Sequence, residues 1–396
     1  MPDIAEGSLR RRTGSFFSDP RVRAIAIQIA LVVVVVWLAW FFFANARQNA
    51  AGQNVASGFG FLWETAGFGL NQTLISYAES SSYGRAFLVG LLNTLLVSAL
   101  GIIFATVIGF AVGIARLSSN ILLARLAGAY VETLRNLPLL FQILFWYLAV
   151  LGTLPGPRES EPLFGAIFLT NRGVLMPRLV LEPGSAIVFV ALACAVLLSV
   201  ALGIWARRRR DRTGVPVPWR RFALLLVFAV PAVAYGVAGA PIALEWPELR
   251  GFNFVGGMRV NPEFLALLFA LSTYTASFIA EIVRAGFLAV PRGQTEAAAS
   301  LGLRRRETLR LIVTPQAMRL IVPPLTSQYL NLTKNSSLAA AIGYPDFFYV
   351  FAGTTLNQTG QAIEIIAVTM AVYLTISLLT ALFMNWYNRA VALKGG

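Results

Sequence analysis

The chain has 396 residues, of which 57% are hydrophobic and only 13% charged, about half the charged share of ordinary soluble domains, and this excludes a soluble multi-domain enzyme. Its formal charge of +14 suits either a nucleic acid or a membrane surface, so the placement of the arginines has to decide. The lack of histidine excludes His-based metal sites and His-dependent triads.

From the N-terminus, a basic tail over 1–23 leads into the first apolar segment, 24–44. The basic start, apolar core and Ala44-Asn45-Ala46 triplet also resemble a cleavable signal peptide. The run IALVVVVVWLAWFFFA, however, exceeds the usual h-region of roughly 7–15 residues, and Trp37 and Trp40 suit an interfacial anchor. After a segment over 45–85, further apolar segments fall at about 86–115, 128–152, 186–206, 221–243, 264–286, 318–341 and 363–385. Each is near the roughly 20 residues needed to cross a hydrocarbon core, so about eight transmembrane helices are expected. Within the second, Gly109 and Gly113 have a GxxxG spacing that permits close helix approach, for which packing inside the chain is the expected use. The lone cysteine, Cys194, lies in an apolar run and reads as a small packing residue.

Placing the N-terminus in the cytoplasm puts 24 of the 32 Lys and Arg on inner segments or the inner parts of the adjoining spans and 7 on outer ones, with Lys334 deep inside a span. The acids run the other way, 10 outside and 8 inside. The positive charge is therefore topological. Clusters such as Arg10-Arg11-Arg12 and Arg207 to Arg210 abut spans and read as cytoplasmic anchors, not as a nucleic-acid site. Between the third and sixth spans, 153–262 holds Pro- and Gly-containing outer loops, two spans and the inner run ARRRRDRTGVPVPWRR. The block enters and leaves on one side, so it reads as a helical hairpin inserted into a five-span core.

The inner loop 287–317 is the most polar helical stretch. Pro291 and Gly293 interrupt the exit of the sixth span, Thr295 is placed to cap a helix beginning at Glu296, and Ala297, Ala298 and Ala299 follow. Gly302 is expected to end or bend that helix, Arg304, Arg305, Arg306 and Arg310 make the next turns basic, and Pro315 is expected to break the run before the seventh span. From the residues alone this is either a solvated loop held by anionic headgroups or a docking element.

The spacing Glu296-Ala297-Ala298, Gly302, Ile312, Pro315 resembles the EAA loop of ABC importer permeases, with Thr314 where leucine is usual. YVETLRNLPLLFQ from Tyr130, SFIAEIVRAG from Ser277 and NLTKNSS from Asn331 are similar to signatures of the polar amino-acid (histidine/glutamine-type) permeases. The longer form, with its extra first span and inserted hairpin, most resembles the larger Q-type membrane subunits of general L-amino-acid importers. This resemblance implies an all-α integral membrane fold with a five-helix type I ABC importer permease core, plus an N-terminal helix and an inserted hairpin. It also implies an inner-membrane importer of L-amino acids working by alternating access, with both termini cytoplasmic. Residues 86–390 would form the permease domain and 391–396 the tail. The implied partners are a cytoplasmic ABC ATPase dimer, a second homologous permease subunit (a homodimer remaining open) and a periplasmic amino-acid-binding protein. Glu296, Ala297, Ala298, Gly302, Arg304, Arg305 and Pro315 would transmit ATPase motion.

No GxxxxGK[ST] phosphate loop occurs, and the only lysines are Lys334 and Lys394, so ATP and Mg would act on the partner and no cofactor is expected on this chain. No nucleophile–base pair or metal-ligand cluster stands out, so no catalytic residue is expected. Lys334, among Asn331, Thr333, Asn335, Ser336 and Ser337, is a substrate-pathway candidate because intramembrane charge is costly. Two other readings stay open: that these groups satisfy backbone freed by a helix broken near Pro323-Pro324, or that Lys334 pairs with Glu281. Glu132 with Arg135, and Glu281 with Arg284, have the i,i+3 spacing of helical ion pairs and read as gate or scaffold elements. The competing reading of the whole chain is a stand-alone ion-coupled transporter using Lys334 and Glu281 as a relay.

Overall fold

The computed structural model describes residues 20–52, 58–215 and 217–391; Arg10, Arg11, Arg12 and Lys394 lie outside them. The first helix, α1 (Pro20–Gly52), exposes its apolar side chains from Ile25 to Phe42, as a helix facing lipid does. After a short 3-10 turn at Gly60–Trp63, α2 (Tyr83–Ala115) begins at Ser82, whose side chain accepts from the Arg85 N–H at 3.3 Å. Next come α3 (Ile121–Asn136) and α4 (Leu139–Leu144), the latter continued by a π-helical stretch to Leu151. The two meet at 108°. The expected span 128–152 is therefore an elbow and not a straight crossing, because Pro138 removes a backbone donor and keeps Leu137 extended.

The outer loops of the inserted block carry short strands that the sequence reading did not foresee. β1 (Pro162–Leu163), β2 (Ile167–Thr170) and β3 (Gly173–Met176) are antiparallel, and β4 (Arg178–Leu181) follows. The chain then makes the hairpin α5 (Ser185–Thr213) and α6 (Trp219–Val237), and returns through β5 (Ile242–Glu245), β6 (Glu248–Arg250), β7 (Asn253–Val255) and β8 (Met258–Val260). β8 closes the first sheet against β3, β5 pairs with β4, and β6 pairs with β7. The connections on either side of the helical hairpin are thus tied together.

The centre of the molecule is α7 (Pro262–Leu288), which packs on α2, α3, α4 and later α10. Its seam with α2 is made by small residues. A Cβ on Gly109 would stand 2.6 Å from Ile279, and one on Gly113 would stand 2.8 Å from Val283. The GxxxG spacing serves packing within the chain, as expected. A second cluster, at the end opposite the polar loop, gathers Phe61, Tyr83, Phe347 and Phe351.

After α7 come α8 (Arg292–Ser300) and α9 (Arg305–Thr308), then α10 (Thr314–Asn335), α11 (Leu356–Thr359) and α12 (Ala362–Val391). Six described helices are long and apolar enough to cross a membrane, seven if the α3–α4 elbow is one span. The seventh expected segment, 318–341, corresponds to α10, which is also helical but carries Arg319, Gln328, Asn331 and Lys334. Contrary to expectation, α10 is not broken at Pro323-Pro324. Regular helix stops only at Asn335, where a 3-10 turn runs to Ile342 and ends on Gly343 with φ +73°.

Candidate functional site

The polar loop forms a short helix whose ends are set by local chemistry. It begins at Arg292 directly after Pro291, not at Glu296. Thr295 is not its cap; its hydroxyl lies inside the first turns and donates to the Arg292 carbonyl at 2.6 Å. Proline sets the start here because its fixed φ and missing donor cost nothing at a helix entrance. At the other end Gly302 has φ +75°, its N–H donates to Ala299 O at 2.9 Å, and the Leu303 N–H reaches back to Ala298 O at 3.1 Å. That pair of bonds is a Schellman cap, which requires a residue in the left-handed region.

The helix therefore ends in a turn that projects outward. Glu296, Ala297 and Ala299 are exposed, Leu301 is 80% exposed, and a Cβ on Gly302 would meet nothing within 4 Å. Ala298 differs from its neighbours in being buried at 1% exposure, so it supports the loop from beneath and is not part of the outward face. Arg304 and Arg305 are exposed, and the Arg304 N–H is held by Glu307 Oε2 at 2.9 Å. Pro315 does not break the following helix: α9 passes through a π-helical stretch, Leu309–Val313, directly into α10. The widened turn makes room where the proline ring would otherwise strike the preceding carbonyl. Gln316 donates to Gln294 at 3.3 Å, tying α8 to the start of α10.

One carboxylate at the same end of the bundle gathers three guanidinium groups. Glu281 accepts from Arg284 at 2.5 and 3.1 Å and from Arg116, and lies 3.9 Å from Arg135. The Glu281–Arg284 pair is the expected one. The Glu132–Arg135 pair is not formed; Glu132 is exposed, and Arg135 turns toward Glu281 and the ring of Phe278, 5.1 Å from its centroid. Arg116, which the sequence reading left unassigned, closes the link between α2 and α7. Sequence spacing along one helix cannot reveal a partner from another, and so could not have found it.

The Lys334 cluster resolves into two sets. The hydroxyls of Thr333, Ser336 and Ser337 donate to the carbonyls of Tyr329, Thr333 and Lys334 at 3.0, 2.8 and 2.8 Å. They bond carbonyls beside the change from α-helix to 3-10 turn at Asn335, and not at a break near Pro323-Pro324, where the sequence suggests the freed backbone. Lys334 does not pair with Glu281, whose oxygens are taken by arginines. It is exposed on α10 together with Asn331, one turn away, while Asn335 is half-buried.

Two further polar positions emerge only in three dimensions. Gln142 donates to Leu134 O at 2.9 Å and Leu137 O at 3.0 Å, capping α3 from across the elbow. It borders a cavity of about 510 Å³ lined by Tyr130, Phe141, Phe145 and Trp146. Asp346, in the connection between α10 and α12, is fully buried; it accepts from Tyr349 N–H at 2.8 Å and the Tyr373 hydroxyl at 3.2 Å. Burial pushes its carboxyl up to about 7, against the downward pull of those hydrogen bonds. Nearby, Asn93 donates to Pro345 O at 2.9 Å, and Thr94 accepts from Phe347 N–H at 2.9 Å, fastening this connection to α2.

Comparison with known proteins places these features in a family context. Residues 212–393 match the family model described as "Binding-protein-dependent transport system inner membrane component". The putative amino-acid ABC transporter permease protein YhdX of Escherichia coli (strain K12) is 53% identical, over 95% of this chain and 96% of its own length. The general L-amino acid transport system permease protein AapQ of Rhizobium johnstonii is 50% identical, over 95% of this chain and 94% of its own. A solved amino acid ABC transporter, in a crystal structure with histidines, aligns over 78% of this chain and 95% of its own at 20% identity and a TM-score of 0.46.

Proposed function

Because this chain belongs to the family of amino-acid ABC transporter permeases, we propose that the turn from α8 through Gly302 is the element by which an ATPase moves its membrane helices. The chain is a membrane permease subunit of an ATP-driven amino-acid importer in the bacterial inner membrane, not itself an enzyme, with ATP hydrolysis on a separate subunit. The observation that carries the coupling proposal is the outward Schellman turn, with Glu296, Ala297 and Leu301 exposed and the Gly302 site open. Small side chains permit close approach, and the continuous α9–α10 run offers a stiff lever into the bilayer. Arg304 and Arg305 flank the contact, Ala298 supports it from beneath, and Pro315 sits in the lever.

In this reading nucleotide binding shifts the balance between two facing states, which requires that the docked ATPase bind one state more tightly than the other. Both termini and α8 face the cytoplasm, in keeping with the charge distribution. A periplasmic amino-acid-binding protein delivers substrate, and a second homologous permease completes the pathway. Asn331 and Lys334 form the candidate surface for the substrate's carboxylate, with Asn335, Ser336 and Ser337 shaping the turn behind them. The network of Glu281 with Arg116, Arg135 and Arg284 acts as the scaffold or gate at the cytoplasmic end. The ion-coupled alternative is not favoured: the relatives are ABC permeases, and the Glu281 carboxylate that a relay would need is already held by arginines.

The test is Gly302→Asp in the chain reconstituted with its ATPase and binding protein. A side chain there meets no atom within 4 Å but must take up φ +75°, a strain of about 1–2 kcal/mol that Asp tolerates better than most residues, so membrane insertion and overall helix content should stay normal while ATP-driven uptake falls at least tenfold. Uptake at the parental rate would remove the docking role.

A further inference from the structure

The inserted helical hairpin has no assigned task, and its two helices pack mainly on each other. We propose that the groove between α5 and α6 is a binding site for an anionic phospholipid, with one acyl chain in the groove and the phosphate at Arg207. The helices close on a seam of small residues, Ala195, Ser199 and Gly203, and Ser199 Oγ reaches the Ala223 carbonyl across it at 3.3 Å. Trp219 lies over Gly203, where an added Cβ would come within 3.2 Å of the ring.

Beside that seam a cavity of about 320 Å³ is lined by Val196, Val200, Ile204, Val227, Trp219 and, at one end, Arg207. Val196, Val200 and Ile204 recur at helical spacing and lead down to the arginine. From Val196 to Arg207 the groove runs roughly 16 Å at about 1.5 Å per residue, close to one leaflet of a hydrocarbon core about 30 Å thick.

The charge at its mouth selects the occupant. Arg207, Arg208, Arg209, Arg210, Arg212, Arg220 and Arg221 are all exposed, with Asp211 the one acid among them. Among the described residues none of these arginines is ion-paired. Arg209 lies over the Trp205 ring at 5.3 Å, on a different part of α5 from the groove lining. An apolar slot as long as a leaflet and ending in an unpaired guanidinium fits a phosphate carrying a net negative charge better than a zwitterionic headgroup. A basic pocket between spanning helices at the membrane surface is a recurring form of anionic-lipid site.

This inference is independent of the coupling proposal, and the full-length chain tests it without the ATPase. The chain is placed in symmetric vesicles, so the result does not depend on which leaflet the arginines reach. The vesicles contain phosphatidylcholine with a small fraction of acyl-brominated lipid, either phosphatidylglycerol or phosphatidylcholine. The Trp219 contribution to quenching is obtained by subtracting the Trp219→Phe variant, at about 0.15 M salt, where arginines more than roughly 8 Å from the bound phosphate are screened and one in contact with it is not. Brominated phosphatidylglycerol should quench Trp219 about fivefold more effectively, the factor that one arginine near the surface supplies. The preference should vanish in Arg207→Gln and persist in Arg208→Gln, and Val200→Phe should reduce quenching by either lipid. Equal quenching by the two lipids, no quenching at Trp219, or a preference that survives Arg207→Gln would overturn the assignment.

Discussion

Replacing Gly109 or Gly113 with alanine should weaken the molecule, although the same change usually strengthens a helix. Relative to glycine, alanine favours a helix interior by about 1 kcal/mol. At Gly109, however, the new carbon would lie 2.6 Å from Ile279 Cβ and 3.0 Å from the Ala276 carbonyl; at Gly113 it would lie 2.8 Å from both Val283 Cβ and the Ala280 carbonyl. Carbon atoms settle near 3.5–4.0 Å, so α2 and α7 must separate by about 1 Å. Overpacking of this kind costs roughly 1–3 kcal/mol, which leaves a net loss of about 1 kcal/mol for each substitution. One separation relieves both contacts, so the double variant should lose less than the two single losses added together. Gly128→Ala is the control: that glycine lies inside α3 with nothing within 4 Å of an added Cβ, so stability should hold or rise by up to about 1 kcal/mol. Detergent-solubilised variants unfolded by titration with SDS, followed by far-UV circular dichroism, would give the order. Midpoints for Gly109→Ala and Gly113→Ala at or above the parent, with Gly128→Ala below it, would refute the close-packed seam.

Three further outcomes follow from the polar sites. Glu281→Gln leaves Arg116, Arg135 and Arg284 facing one another without a counter-charge; a loss of about 2 kcal/mol is expected, and restoration by adding Arg116→Met would show that repulsion is the cause. For Asp346 the folded carboxyl titrates near 7 and the ordinary value is 3.8. The folded state therefore keeps a proton that the unfolded chain releases between those values, so stability is highest below about pH 4, falls as pH rises toward 7 and levels off above it. That fall amounts to roughly 4 kcal/mol in all, about 3 of it above pH 5, and Asp346→Asn should flatten it in thermal unfolding from pH 5 to 8; a slope unchanged by the substitution would discount the buried carboxyl. Lys334→Met should lower amino-acid uptake at least tenfold while leaving assembly with the ATPase intact, and normal uptake would remove Lys334 from the substrate path.

Much of this chain was readable from composition and spacing. The apolar segments declare themselves because lipid cannot solvate a backbone, so each crossing must be a long apolar helix. The loop after α7 was legible for a different reason: a proline entrance, small residues and a glycine in the left-handed region are local chemistry, written in adjacent residues. Even there the sequence misplaced the helix start, since Thr295 looks like a cap until Pro291 is seen to begin the turn four residues earlier. It also read Pro315 as a break where a π-helical turn absorbs the ring.

What the linear order could not decide was partnership across elements. Glu281 has an arginine at i+3, but only the packing of α2 and α3 against α7 brings Arg116 and Arg135 to the same carboxylate. Lys334 has an acid to pair with in the sequence and none among the described residues, because Glu281 is already occupied and α10 turns the lysine outward. The outer strands escaped notice because they are two to four residues long, and although β1–β2, β2–β3 and β6–β7 are local hairpins, the pairings that tie the block together, β3 with β8 and β4 with β5, join segments far apart in the chain, which no local pattern announces. The sequence by itself determined a membrane protein with a polar loop shaped for contact. Tertiary structure decided which charges meet, which glycines must stay bare, and where the groove beside Arg207 lies, because those depend on distances between helices that the chain order leaves open.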